Sequence, residues 1–273
     1  MPLSSATPEN HFKFFSFFSA TLFLTLTLIS GCGVNSSDNA EGTLNIRLTD
    51  DPATYQAVYI DIQQVELNRG TEEQPQWQTI RSQPIRLDLL KLNNGADTLL
   101  ASFQIETGTY NQLRLKLGTN NEVIVAGESN SLSVPSSGES GFKVNINATV
   151  SEDAPVTKII DFDVARSIAV TGNGQYLLNP VLSVFDPETS GSVSGQMVPQ
   201  GVPALVSAVI GDQIISTTYI ENDGTFLLNG LDENFYNIRI EPNSTQYADT
   251  TIFETEVTNA QTTDLGIIQF PEE

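Results

Sequence analysis

Apolar residues recur at every second position over much of this chain, and no stretch sustains a period of 3.6. Leu44, Ile46 and Leu48 alternate with Asn45, Arg47 and Thr49, which turns one face of an extended segment inward and leaves the other in water. The same parity runs through Leu113, Leu115 and Leu117, through Val144, Ile146, Ala148 and Val150, and through Ile160, Phe162 and Val164. Such a chain buries its apolar side chains by pairing strands and stacking sheets. The fold class is therefore all-β, either a sandwich or a partly closed barrel.

Between Ala57 and Asn68 the parity switches from Val58, Ile60 and Ile62 to Val65 and Leu67, which predicts a bulge near Gln63-Gln64. Trp77 to Leu87 reads as extended material interrupted at Pro84, and Leu87 to Leu92 as one or two helical turns before Asn93-Asn94-Gly95. Leu99 to Ile105 and Tyr110 to Leu117, joined at Glu106-Thr107-Gly108-Thr109, read as a hairpin-like pair. Glu122 to Ala126, Phe142 to Val150, Lys158 to Val164 and Tyr176 to Phe185 complete a unit of about eight strands.

Pro187-Glu188-Thr189-Ser190-Gly191 is a break in composition. Beyond it come Ser192 to Met197, then Ala204 to Ile210 and Ile214 to Ile220 joined at Gly211-Asp212. A tight turn at Glu221-Asn222-Asp223-Gly224 leads into Thr225 to Leu228, Gly230-Leu231, Tyr236 to Ile240 and Leu265 to Phe270. That makes about seven strands and a second, smaller sandwich. The organisation expected is a first domain over 43–187, a linker at 188–191 and a second domain over 192–273. The two do not read as repeats of each other.

Ahead of the first strand, Phe14 to Ile29 is almost wholly apolar and is preceded by the single cation Lys13. About 16 residues is short of the roughly 20 needed to span a bilayer and reads as a secretory signal. Its end, Leu28-Ile29-Ser30-Gly31-Cys32, resembles the bacterial lipoprotein signal, in which the cysteine is acylated and becomes the mature N-terminus. By that resemblance residues 1–31 are removed and Cys32 carries lipid. Two or more acyl chains hold a protein where one holds it marginally. Gly33 in place of a retaining aspartate favours the outer membrane. Residues 32–42, including Asn35 to Gly42, then form a polar tether with a mean reach of about 18 Å.

The formal net charge is −21. Nucleic acid is not expected as a partner, because phosphate neutralisation needs clustered Lys and Arg. His11, the one histidine, lies in the leader, and Cys32 is the one cysteine. The mature body then has no Ser-His-Asp or Cys-His nucleophile system, no imidazole or thiolate metal site and no disulfide. An enzyme built here would have to work with carboxylates, Lys or Tyr alone.

GTLNIRLTDDPATYQAVYIDIQQVEL from Gly42, with IRLDLLKLNNGADTLLASFQIETGTYNQLRLKL from Ile85, resembles the DUF4382 family over about residues 42–187. The resemblance implies a bacterial envelope protein with a β-rich domain and no established activity. The second segment resembles the carboxypeptidase regulatory-like domain, a prealbumin-like sandwich grouped with starch-binding-like folds. The residues that carry this are Val193-Ser194-Gly195-Gln196, Asn222-Asp223-Gly224-Thr225-Phe226, Leu228-Asn229-Gly230-Leu231 and Tyr236 before Ile238 and Ile240. It implies a non-catalytic appendage.

Two kinds of side chain are candidates for a site. Asp161 and Asp163 flank Phe162, so both carboxylates leave one face of a strand about 7 Å apart, a pattern that serves a glycosidase, a calcium ion or simply a wet strand face. Asp50, Asp51 and Asp61 form a second acidic group near the first turn, where calcium or a turn bonding its own backbone are the alternatives. Trp77, with Tyr55, Tyr59 and Tyr110, is a candidate aromatic platform for sugar, Trp77 foremost. The function expected is a lipid-anchored, non-enzymatic envelope module that binds envelope proteins or glycans. The alternative is a carbohydrate-binding accessory lipoprotein for polysaccharide capture.

Overall fold

Alternating parity becomes strand pairing along nearly every segment that carries it. The computed structural model describes residues 40–50, 53, 55–93, 95–135 and 140–272. Its first part contains β1 (Glu41–Thr49), β2 (Ala57–Asn68), β3 (Trp77–Arg81), β4 (Ile85–Asp88), a 3-10 turn (Leu89–Lys91), β5 (Thr98–Glu106) and β6 (Gly108–Leu117). There follow β7 (Glu122–Val125), β8 (Glu128–Ser133), β9 (Phe142–Val150), β10 (Val156–Asp163), the one-turn helix α1 (Val164–Ser167), β11 (Ile168–Val170), β12 (Tyr176–Leu178) and β13 (Val181–Phe185). The second part contains β14 (Gly191–Val198), β15 (Ala204–Ile210), β16 (Gln213–Tyr219), β17 (Thr225–Leu231), β18 (Asn234–Pro242), β19 (Thr250–Val257) and β20 (Thr262–Gln269).

In the first part a four-stranded sheet, β13-β10-β1-β5, faces a nine-stranded sheet whose path is β11-β12-β8-β7-β2-β6-β9, with β3 and β4 also paired to β2. Leu44, Ile46, Leu48, Ile160 and Phe162 from one sheet meet Val58, Ile60, Ile62, Val65, Leu67 and Leu113 from the other in one buried core. The second part stacks β17-β14-β20 on β16-β15-β18-β19 around a separate core that includes Val193, Val206, Phe226, Leu228, Tyr236 and Ile238. The fold is an all-β arrangement of stacked sheets. The bulge in β2 falls where parity places it, the register with β6 slipping between Ile62 and Gln64.

Several sequence expectations are corrected. β5 and β6 are not a hairpin: β5 pairs with β1 in one sheet and β6 with β2 and β9 in the other. Parity tells which residues face inward, and Ile105 and Tyr110 do so from opposite sheets. Tyr176 to Phe185 is two strands in different sheets, because Pro180 has no N–H to continue a ladder and the Asn179 and Val181 amides turn to the carbonyl and hydroxyl oxygens of Ser167. The strands β8 and β11 are additional, and Ala126-Gly127, both at positive φ, make a two-residue turn between β7 and β8. Thr225 to Leu231 is one strand, with β19 beyond it.

The two parts also repeat one topology, against the sequence reading. β1 lies between antiparallel β5 and parallel β10, as β14 lies between antiparallel β17 and parallel β20. β2-β6-β9 pair antiparallel in that order, as do β15-β18-β19. At each crossing into the second sheet a buried tyrosine, Tyr110 or Tyr236, donates to a carbonyl four residues back. Each repeat then carries a bulge: Asn111 opposes Ile146 and Asn147, and Asn237 opposes Phe253 and Glu254. Asn147 and Glu254 stand at φ of 43° and 55°. Beyond Tyr-Asn at 110–111 and 236–237, little of the sequence announces the repeat.

By their contacts, the described residues belong to a single compact unit. The outer face of the four-stranded sheet is partly covered by the second part. Asn93 Nδ2 donates to Glu221 Oε1 at 2.5 Å. Gly230, at φ 68°, lies against the Phe185 ring, where a Cβ would come within 2.9 Å. Among the described residues no helix is long and apolar enough to cross a membrane.

Candidate binding face and junction carboxylates

The side chains that β2, β6 and β9 do not spend on the core stand together on the outer face of the nine-stranded sheet. Val65 and Leu67 point inward, so Glu66 and Asn68 point outward; Leu113 and Leu115 do the same for Gln112, Arg114 and Lys116. Register then aligns them in two rows across four strands. One row runs Trp77, Asn68, Gln112, Asn145 and the next Thr79, Glu66, Arg114, Lys143.

The second row is held by charge. Glu66 is 6% exposed and accepts from Arg114 Nε at 2.5 Å and Lys116 Nζ at 3.0 Å. Burial alone would raise its pKa, but the hydrogen bonds and charges of Lys116 and Arg114 outweigh that and hold the carboxyl below its ordinary value. The Arg114 guanidinium lies 4.0 Å from the centroid of the Trp77 ring, with Lys143 Nζ at 5.6 Å. Trp77 is thus half-buried and stacked under a cation.

The first row borders a groove of 310 Å³ lined by the carboxamides of Asn68, Asn111, Gln112, Asn145 and Asn147 with Thr71 and Glu72. Asn68 Oδ1 accepts from the Gly70 and Gln76 amides at 2.9 and 2.8 Å and so closes the loop between β2 and β3. Gln112 Nε2 donates to Asn145 Oδ1 at 3.2 Å. The bulge brings Asn111 and Asn147 to the same groove. Sequence reasoning singled out Trp77 and missed the amides, although the outward positions of NQLRLK and KVNINAT carry them in alternation.

The other aromatics named with Trp77 are elsewhere. Tyr110 is in the core, Tyr59 lies under the Arg86 guanidinium at 4.2 Å, and Tyr55 adjoins Tyr176 and Tyr219, its phenol raised in pKa by burial first and then by those two neighbours. The four do not form one platform.

Asp161 and Asp163 do share a face, on β10 between β13 and β1 and so inside a sheet. Over them lie Ser216 and Thr217 of β16, closing a cavity of 80 Å³ that Arg166 and Ser183 also line. Asp161 Oδ2 accepts from Ser183 Oγ at 3.4 Å, while its Oδ1 is shut off from solvent without a hydrogen-bond partner. Burial, then the charge of Asp163, push its pKa up to about 7, against the pull of Ser183 and Arg166. Asp163 caps α1 by accepting from the Arg166 amide at 2.8 Å, and burial raises its pKa as well. At about 30 Å³ per water the cavity holds a few waters, and Asp163 also pairs with the Arg166 guanidinium at 3.6 Å.

Asp50 accepts from the Val164 amide at 3.1 Å, tying the first turn to α1. Asp61 accepts from Gln63 Nε2 at 2.6 Å and the Asn120 amide at 3.4 Å on the other sheet. Among the described residues no three His, Cys, Asp or Glu side chains are placed to hold one metal ion. Asp51, Cys32 and the leader lie outside the described residues.

A family model described as Domain of unknown function (DUF4382) matches residues 41–180. The chain belongs to the DUF4382 family. The polar rows, Trp77 and the Asp161–Asp163 pair fall within the DUF4382 segment, whereas Ser216 and Thr217 lie beyond it. No curated protein matches the chain. Among solved structures it is similar to the Bacillus anthracis TIE protein, at 12% identity over 85% of this chain and TM-score 0.24, spanning 34% of that protein's length. It is also similar to GBS52, the minor pilin of Streptococcus agalactiae, at 12% identity over 84% of this chain and 96% of that one, TM-score 0.26. A fimbrial protein from Bacteroides ovatus gives 10% identity over 86% and 51%, TM-score 0.25. TM-scores this low do not establish a common arrangement.

Proposed function

We propose that this DUF4382 protein is a lipid-anchored, non-enzymatic component of the bacterial cell envelope, held at the outer membrane through Cys32, whose body is a binding module. The observation that carries the binding half is the pair of polar rows across β3, β2, β6 and β9, a surface fixed on sheet and flanked by a groove. Side chains held on regular elements by hydrogen bonds and a buried ion cluster are ordered before a ligand arrives, which lowers the entropic cost of binding. The anchor half is supported by Leu28-Ile29-Ser30-Gly31-Cys32.

In this reading 43–187 and 192–273 are its two domains. The second, similar to carboxypeptidase regulatory-like domains in the residues quoted above, is a non-catalytic appendage that covers the junction carboxylates. Labelling with a palmitate analogue in the native host tests the anchor: wild type takes label and fractionates with the outer membrane, and Cys32→Ser does neither. Unlabelled wild-type protein would contradict it.

A further inference from the structure

We propose that the groove beside Trp77 binds a neutral oligosaccharide, an inference that rests on the binding reading and gives the ligand a chemical class. The lining decides the class. Around 310 Å³ stand Asn111, Gln112, Asn145 and Asn147, with the buried Asn68 behind them, the Thr71 hydroxyl and the single carboxylate of Glu72, and no basic side chain, in a chain with 33 acidic and 12 basic residues. A carboxamide presents two N–H donors and a carbonyl acceptor from one planar group. Adjacent sugar hydroxyls, each donor and acceptor at once, answer that pattern, whereas an ionic lining selects a counter-ion and an apolar one excludes hydroxyls. The volume sits at the lower end of the roughly 300–1,000 Å³ usual for small-ligand sites.

The neighbouring charges do not redirect the choice toward an anion. Arg114 and Lys116 are both committed to Glu66, and the one other cation of the row, Lys143, lies beside the Trp77 ring at 5.6 Å and is not among the residues that line the groove. Trp77, the register neighbour of Asn68, contributes an indole beside the amides. The bulge itself is not the evidence, since the second repeat has the same bulge. There it presents Phe253, which is 71% exposed, and Glu254, so the carboxamides are what distinguishes the first repeat from an otherwise equivalent surface. Their geometry is fixed in advance, Asn68 by two backbone donors and Gln112 by Asn145.

The test is affinity electrophoresis of the full chain in mixed micelles through gels containing soluble starch, β-glucan, mannan or, as the anionic control, alginate. Wild type is expected to be retarded by at least one neutral polymer and not by alginate. Gln112→Ala/Asn145→Ala should weaken that retardation at least tenfold with the melting temperature unchanged, and Asn147→Gly, which keeps the positive φ but removes an amide, should weaken it less. Retardation by alginate alone, or retardation indifferent to these substitutions, overturns the inference. No retardation, together with a specific photo-crosslink from position 143 to an envelope protein, overturns the sugar but leaves the binding reading standing. Neither retardation nor crosslink overturns both.

Discussion

The Tyr110 hydroxyl donates to the Glu106 carbonyl oxygen at 3.0 Å, four residues back across the corner where the chain leaves one sheet for the other. Tyr236 and Asp232 repeat that bond at 2.9 Å. Both rings are buried, and burial is the first cause of the raised pKa of both phenols, so both donate their protons at all ordinary pH values. Tyr110→Phe and Tyr236→Phe should each cost about 1 kcal/mol, read as a lowered urea midpoint at constant slope.

Glu66 joins two cations in the polar rows. Glu66→Ala leaves the partly exposed Arg114 and Lys116 facing each other without their shared carboxylate, and a loss of about 2 kcal/mol is expected from the lost charged hydrogen bonds. The chain has one tryptophan, so Trp77 emission reports the row directly. Arg114→Ala should shift that emission to the red by uncovering the ring. An unmoved spectrum would contradict the stacking.

Asp161 makes stability depend on pH. Its folded pKa is about 7, above the unfolded value of about 3.9, so the folded state binds the proton more tightly. At pH 8 the carboxylate is ionised in both states and its burial opposes folding. As pH falls from about 7 toward 4 the folded state takes up the proton and stability is gained. Asp161→Asn should therefore stabilise the protein at pH 8 by about 2 kcal/mol, and its advantage should shrink toward pH 5. Equal melting shifts at both pH values would contradict this.

Ala126 stands at φ 51° in the turn between β7 and β8, a conformation that costs an L-residue with a methyl side chain about 1 kcal/mol. Asn is the residue such a turn favours. Ala126→Asn should raise stability by up to about 1 kcal/mol, checked by thermal unfolding.

Strand positions were legible because parity is local: β1, the bulged β2, β6, β9 and β10 each announce an inward face. Which sheet a strand joins was not, because an alternating segment looks the same on either side of a sandwich, and so β5 and β6 read as a hairpin. β8, with the sequence ESNSLS, has too few apolar positions to show a face. At the site, Trp77 stood out by residue type, but its neighbours Arg114 and Lys143 arrive from strands far along the chain. Asparagines are read first as turn residues, which hid four of the five amides that register and the bulge bring to one groove. The burial of Asp161 depends on Ser216 and Thr217, from the other side of the composition break, and nothing near Asp161 in sequence signals them.

The central claim, that the outer face of β3-β2-β6-β9 is where this protein binds, is tested most directly by placing a photo-crosslinking amino acid at Lys143 and, as control, at the exposed Asp212 of the β15–β16 turn in cells of the native host. A discrete crosslinked species is expected from position 143 and none from 212. Equal crosslinking from both positions, or from 212 alone, would contradict it.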